Sequence, residues 1–287
     1  MKAKIIAVTG SSGFLGKPLV QKLQNDGYQV IEIDLSNKID ITNKDSLKDI
    51  QRFDIIIHLA AKSFVPDSYI FPFDYYFINS IGTLNILELC RKFKAKIIFI
   101  SSYVYGQPQY LPVDEKHPLQ PFNPYSQSKI IGEHLCIGYN RDFDIPVIVI
   151  RPFNIYGENQ PEHFLISKII SQAKHGKVIL NDLRPRRDYI YIDDIIDLFL
   201  LTLEYENYTF ENFNASYGKS YSVKEVVDIV KEISRFNFDV INTHSTRKEE
   251  VLEVIGNSDK AKHILKWYPN YDLREGIMRI FNKKEIR

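Results

Sequence analysis

Apolar residues along this chain alternate between two rhythms, short β-branched runs and longer stretches at helical period. Lys4-Ile5-Ile6-Ala7-Val8 has no polar interruption, as a central parallel strand covered on both faces requires. Gln29 to Asp34 reads as a second strand ending in an acid, and Asp54 to Ala61, Lys96 to Ile100 and Pro146 to Ile150 as three more. Between them Leu15, Leu19, Val20 and Leu23 recur as one face of a helix that ends at Asn25-Asp26-Gly27. Ile78 to Phe93 and Tyr125 to Asn140 read as further helices, the latter entered through Asn123-Pro124. This β-α-β rhythm predicts an α/β fold with a doubly wound parallel sheet. Beyond Arg151 the pattern loosens: 152–161 is loop-like, 164–174 helical, 182–187 polar and proline-bearing ahead of Tyr189-Ile190-Tyr191-Ile192. Helices are expected near 223–234 and 259–266, among short strands. With no repeat or low-complexity linker, the smaller C-terminal domain is expected to interleave with the sheet. The expected division is 1–153 with a returning segment at 187–214, against 154–186 with 215–287.

The first strand runs straight into Thr9-Gly10-Ser11-Ser12-Gly13-Phe14-Leu15-Gly16, a G-x-x-G-x-x-G loop that opens the first helix. Glycines there let the backbone turn tightly and approach a pyrophosphate at the helix N-terminus. Asp34 follows Gly16 by 18 residues and closes the second strand, where a carboxylate accepts both ribose hydroxyls and repels a 2′-phosphate. Strand, loop, helix, strand and acid in that order predict a dinucleotide site favouring NAD over NADP. The carboxyl ends of the strands should place Asp34, Ala60-Ala61 and Ser101-Ser102 along one rim.

Tyr125 and Lys129 are four apart in a helical segment, so they share a face. A neighbouring ammonium favours the phenolate and pulls a tyrosine from about 10 toward a range useful for proton transfer. A serine hydroxyl from Ser101 or Ser102 would hydrogen-bond the reacting oxygen. Pleating lets only one of two adjacent residues face the site; Ser102 is preferred and Ser101 held in reserve.

Composition narrows the class further. The chain has 287 residues and a net charge of +1 from 37 basic and 36 acidic residues, without the basic face that nucleic acid demands. Cys90 and Cys136 sit in apolar helical patterns and read as buried reduced thiols, in keeping with a cytoplasmic protein. No apolar run approaches the roughly 20 residues needed to span a bilayer, and no signal peptide is expected. The seven histidines lack paired metal-ligand spacing, so no metal is expected.

The ordered landmarks extend along the whole chain: Gly10-x-x-Gly13-x-x-Gly16, Asp34, Asp40-Ile41, His58-Leu59-Ala60-Ala61, Asn79-x-x-Gly82-Thr83, Ser101-Ser102-Tyr103-Val104-Tyr105-Gly106, Tyr125-x-x-x-Lys129, Arg151 to Gly157, Arg187-Asp188-Tyr189-Ile190 and Leu265 to Pro269. In these the chain resembles an extended short-chain dehydrogenase/reductase of the NAD-dependent epimerase/dehydratase family, Rossmann-type enzymes acting on nucleotide-linked sugars. The resemblance implies an NAD site made by Gly10, Gly13, Phe14, Leu15, Gly16, Asp34, Leu59, Ala60 and Ala61, with Asp40 and Ile41 flanking the adenine. It implies that Lys129 also holds the nicotinamide ribose and that Tyr125 exchanges a proton with a sugar hydroxyl. Asn154 would touch the sugar nucleotide, and Arg187 and Arg247 would grip its diphosphate, a task suited to the guanidinium fork. The Lys248-Glu249-Glu250 flank of Arg247 departs from the family's usual ending. A homodimer through helices near 79–93 and 125–140 is implied as well.

Two residue-level readings stay bland: Asn79 as a clamp between helix and strand, and Trp267 as a core plug. The family's dehydrating members usually place an Asp-Glu pair after the catalytic hydroxyl residue, whereas Ser102 is followed by Tyr103. Without that carboxylate an elimination lacks its base. The expected activity is therefore epimerisation of a nucleotide sugar, a UDP-sugar at C4 by preference. A dehydratase, reductase or decarboxylase is the alternative, and a non-catalytic NAD-binding regulator a further one.

Overall fold

The structure, a computed structural model, describes residues 4–206, 209–245 and 251–285. Strands β1 (Ile5–Thr9), β2 (Gln29–Ile33), β3 (Ile55–His58), β4 (Lys96–Ile100) and β5 (Val147–Pro152) arise from the five predicted runs. Every residue of β3 and β5 is buried, and all but the first of β1 and β4, whereas β2 buries only Ile33. The difference follows from position, because β2 is an edge strand and the others lie inside the sheet. The six-stranded order is β2-β1-β3-β4-β5-β9, where β9 is Phe210–Ala215, and the first four pairings are parallel.

Helices α1 (Gly16–Asn25), α2 (Val65–Ile70), α3 (Pro72–Tyr76), α4 (Gly82–Phe93) and α5 (Pro124–Phe143) accompany this sheet. Ile86, Leu87 and Cys90 of α4 and Cys136 of α5 join Ile56, Ile97, Phe99, Val147 and Val149 in one buried cluster. The register sets Thr9 beside Ile33 and His58, and His58 beside Phe99. The strands thus finish at one edge, and Gly10, Asp34, Leu59 and Ser101 follow close behind. Since the chain winds from β1 to β2 on one side and resumes at β3 on the other, that edge is the switch point where such sheets bind ligands.

Two compact units are present. One comprises Met1–Tyr105, Leu119–Arg151 and Ile196–Phe213, the other Gly106–Pro118, Pro152–Ile195 and Asn214–Arg287. Residues 106–118 and 187–195 thus belong with the second unit, not with the sheet. In that unit β8 (Arg186–Tyr191) pairs in parallel with β6 (Asn154–Tyr156) and antiparallel with β10 (Ser220–Ser222), and Val113 bridges to Gly256. A separate parallel pair joins β7 (Lys177–Leu180) to β11 (Asp239–Asn242). Trp267 is a core plug, 1% exposed, with its indole N–H donated to the Asp194 carbonyl at 2.9 Å.

Helix α8 (Val223–Ser234) matches its expected bounds, capped reciprocally by Ser222 and Glu225. The aromatic, proline-bearing stretch 66–76 is helical on both sides of Phe71. Pro66 and Pro72 open α2 and α3, and Asp67 and Asp74 sit in their first turns, where the helix dipole favours an acid. Phe77–Ile81 is a π-helical turn leading into α4. No helix among the described residues is long and apolar enough to cross a membrane.

Candidate active site

The glycine loop is held by its own tight geometry. Gly10 has φ +67°, and a Cβ there would stand 2.9 Å from the Ala60 nitrogen; a Cβ on Gly16 would collide with the Gly10 carbonyl oxygen. Both positions need glycine, one for its left-handed backbone and the other for close approach. Asp34 accepts from the Ser12 hydroxyl at 2.6 Å, the Ser12 N–H at 3.2 Å and the Ser36 N–H at 2.9 Å. Burial pushes its carboxyl up, but these hydrogen bonds outweigh it and hold the group below the usual value. The Ser11 hydroxyl is buried without a hydrogen-bond partner at the mouth of α1. An unspent donor, a half-buried acid and a glycine turn at a helix N-terminus fit a dinucleotide. Asp40 accepts from the Thr42 N–H and hydroxyl at 2.8 and 2.7 Å, while Ile41 is buried against Gly82 in the core cluster. Any contact of Ile41 with an adenine therefore falls to its backbone.

A continuous polar chain runs from this loop to α5. Thr9 Oγ1 accepts from the Leu59 and Ala60 N–H groups, each at 3.0 Å, and stands 2.7 Å from His58 Nδ1. His58 Nε2 lies 3.0 Å from Thr83 Oγ1, which donates to the Asn79 carbonyl at 2.6 Å. These partners assign the tautomer: with its lone pairs taken, Thr9 donates to Nδ1, and Thr83, its proton spent, accepts from Nε2. Burial, and then the nearby Lys129 charge, lower the His58 pKa to about 3, so the ring is neutral. Asn79 clamps the Lys62 backbone in both directions, at 2.8 and 3.0 Å, and donates to Ser128 Oγ at 2.9 Å. Ser128 in turn donates to the Tyr125 carbonyl at 2.7 Å.

The entry of α5 places the two candidate catalytic side chains. Asn123 caps the helix by accepting from the Ser126 N–H at 2.8 Å, with Ser126 Oγ returning the contact, and Pro124 follows the cap. Tyr125 is then in the first turn and Lys129 one turn on. The Tyr125 hydroxyl is hydrogen-bonded to Ser102, whereas the Ser101 hydroxyl is buried without a partner. Burial raises the Tyr125 pKa and the Ser102 hydrogen bond opposes it. No depression by Lys129 accompanies it; the Lys129 ammonium lies 4.5 Å from the centroid of the Phe99 ring. Burial lowers Lys129 to about 8, against the pull of Cys136 and Glu133. Glu133 is itself locked to Arg151, at 3.0 and 2.6 Å, and Arg151 reaches the Tyr105 hydroxyl at 3.1 Å.

In the second unit, Asn154 donates to the Asp188 carbonyl at 2.9 Å. Asp188 accepts from the N–H groups of Tyr217, Gly218 and Gly256, tying three segments together. Arg184 pairs with Asp182, and Arg186 with Glu225 and Glu253, while the half-buried Arg187 donates to the Arg186 carbonyl at 2.9 Å. Arg247 lies outside the described residues. Thr9, Thr83 and Ser128 escaped the reading of the sequence, since single hydroxyls up to 51 residues from their partners carry no spacing signal.

Residues 6–216 match the model of the NAD dependent epimerase/dehydratase family. The chain belongs to that family. A Methanocaldococcus jannaschii relative named "Putative UDP-glucose 4-epimerase" is 37% identical, with 97% of each chain covered. A GDP-6-deoxy-D-talose 4-dehydrogenase of Aggregatibacter actinomycetemcomitans is 32% identical over 91% of this chain and 90% of its own. Among solved structures, a UDP-glucose 4-epimerase of Thermotoga maritima with UDP-glucose superposes with a TM-score of 0.91 at 28% identity, covering 98% of this chain and 99% of that one. Epimerases, reductases and dehydratases of nucleotide sugars all occur among its relatives, so membership alone leaves the reaction open.

Proposed function

We propose that this protein is an NAD-dependent nucleotide-sugar epimerase that inverts C4 of a UDP-sugar. The observation that carries this reading is the Ser102–Tyr125 hydrogen bond at the entry of α5, with Ser102 in a segment, Ser101 to Gly106, that contains no carboxylate. NAD supplies the reversible acceptance of a hydride. Gly10, Gly13, Phe14, Leu15 and Gly16 hold its pyrophosphate, Asp34 the adenosine ribose, and Leu59, Ala60 and Ala61 line its path. Lys129 holds the nicotinamide ribose and keeps positive charge beside Tyr125.

Tyr125, which burial keeps protonated in the unliganded protein, would enter the reaction as the phenolate that the charges of Lys129 and bound NAD favour; in that form it would take the proton of the C4 hydroxyl as the sugar becomes a 4-keto compound, and return it when the opposite face is reduced. Ser102 donates to the same oxygen in both directions. The segment Ser101 to Gly106 offers no carboxylate to take a proton from the carbon next to the ketone, which argues against loss of water from the keto sugar. Asn154, Arg187 and Arg247 bind the nucleotide diphosphate, the arginines through bidentate pairs. The similarity to the Methanocaldococcus jannaschii and Thermotoga maritima proteins supports the UDP-glucose class.

A 4-keto reduction is the second reading, favoured by the similarity to the talose 4-dehydrogenase. The two separate cleanly when the purified protein, with no added cofactor, is incubated with UDP-, dTDP- and GDP-sugars and the products are read by mass spectrometry and NMR. Epimerisation yields an isomer of unchanged mass. In a parallel incubation with a nucleotide-linked 4-keto sugar and NADH or NADPH, a product heavier by two hydrogens, with no isomer formed in the first incubation, overturns the proposal. We also propose a homodimer through α4, α5 and the turn before α4, where Phe77, Ile81, Ile137 and Phe143 are exposed. A monomer in light scattering would remove that claim.

A further inference from the structure

Lys129 is 3% exposed, and its ammonium makes no hydrogen bond among the described residues. A buried charge with no hydrogen bond is costly unless something else stabilises it. The group that meets it is the face of Phe99, with the nitrogen 4.5 Å from the ring centroid, and Phe99 is fully buried. Phe99 is carried on β4, two residues before Ser101, so the ring and the serine pair ride on one strand end. Gly132, three residues after Lys129 on the same face of α5, makes the room. A Cβ there would stand 2.6 Å from Phe99 Cζ and 3.2 and 3.4 Å from its Cε atoms. The missing side chain is the slot that admits the ring.

We propose that Phe99 is a positioning residue for Lys129: its ring face, admitted by Gly132, keeps the ammonium charged and in place on the Tyr125 side of α5. The proposal rests on the reading of Lys129 as part of the site. The ring's quadrupole attracts a cation without accepting a hydrogen bond, so the three N–H donors stay available for ribose hydroxyls. The other titratable groups around Lys129 do not replace it. On β3, His58 is neutral and lies tilted against Phe99 with ring centroids 5.8 Å apart; on α5, Glu133 is engaged by Arg151 of β5, while Cys136 and Tyr125 are held protonated by burial; on α4, Cys90 is a protonated thiol.

The test is a titration of the Lys129 side chain in the full-length protein by 13Cε NMR, assigned with Lys129→Met. Phe99→Leu is expected to lower the midpoint by about one pH unit, as loss of a desolvated cation–π contact implies. Gly132→Ala, which displaces the ring, is expected to shift it the same way. Site-specific 3,5-difluorophenylalanine at position 99 weakens the ring face at nearly constant shape and should give an intermediate shift, even if Phe99→Leu does not fold. An unchanged or raised midpoint in the fluorinated protein overturns the proposal. Because the midpoint is read without turnover, that outcome leaves the epimerase reading standing. Loss of epimerisation with normal midpoints would strike the other way.

Discussion

The two groups of candidate residues differ sharply in how far they are settled by the protein itself. In the sheet unit, His58, Asn79, Ser128 and Lys129 are 0 to 3% exposed and each has a defined partner. In the second unit, Asn154 and Arg187 are only half-buried, and the Arg184 and Arg186 flanking pairs are partly exposed ion pairs. A reaction that every substrate shares profits from a site set in advance, because the ordering cost is met during folding. Recognition of one sugar among many profits from side chains with remaining freedom, in a layer where changes disturb little packing.

The comparison breaks first at the chemistry. Tyr125→Phe is expected to lower turnover about 10³-fold while NAD remains bound, within the range for losing a general acid–base group. Isolated protein with NAD content unchanged and activity within a few-fold of wild type would refute the assignment. The next largest effect is on acid stability. His58 has a folded pKa of about 3 against 6.5 for the ordinary group, so from pH 6.5 downward the unfolded chain binds a proton that the native state refuses. The stability it contributes is complete above 6.5 and is lost toward pH 3 at up to about 1.4 kcal/mol per pH unit. His58→Gln should flatten that slope in urea titrations at pH 7, 6 and 5, whatever its effect at neutrality.

In the second unit the losses should fall on binding. Arg187→Ala is expected to raise KM about 10- to 100-fold with kcat changed far less, and Arg187→Lys to restore little, since an ammonium lacks the fork. A kcat defect with normal KM would place Arg187 with the chemistry instead and erase the contrast. The smallest effect is local: Asn123→Ala removes the cap of α5 and should cost about 1 kcal/mol in denaturant unfolding. If Tyr125 depends on that cap for its position, turnover falls further than stability does.

Much of the sheet unit was legible from periodicity. Lys96–Ile100 keeps the bounds its pattern predicts, as does Val223–Ser234 in the second unit, because an apolar run and a helical period are local signals. Helices α2 and α3 were hidden by their aromatic, proline-rich composition, which reads as a loop unless the prolines are recognised as first-turn residues. The π-turn at Phe77–Ile81 leaves no periodic trace. At the site, Tyr125 and Lys129 were visible because four-residue spacing is meaningful on any helix. Their electrostatics were not, since the partner of Lys129 is a ring 30 positions away and spacing says nothing of burial. The different surroundings of Ser102 and Ser101 likewise appear only in the fold: one hydroxyl meets Tyr125 and the other is buried.

The chain passes between its two units five times, at residues 105–106, 118–119, 151–152, 195–196 and 213–214. No single recombination breakpoint can therefore exchange one unit for a relative's while leaving the other whole. Exchanging the second unit whole means replacing three segments at once. An engineer wishing to transplant one unit faces the same arithmetic, and of the gene fragments that start at residue 1 and end at a junction, only the one ending at 213 encodes a whole unit, the first.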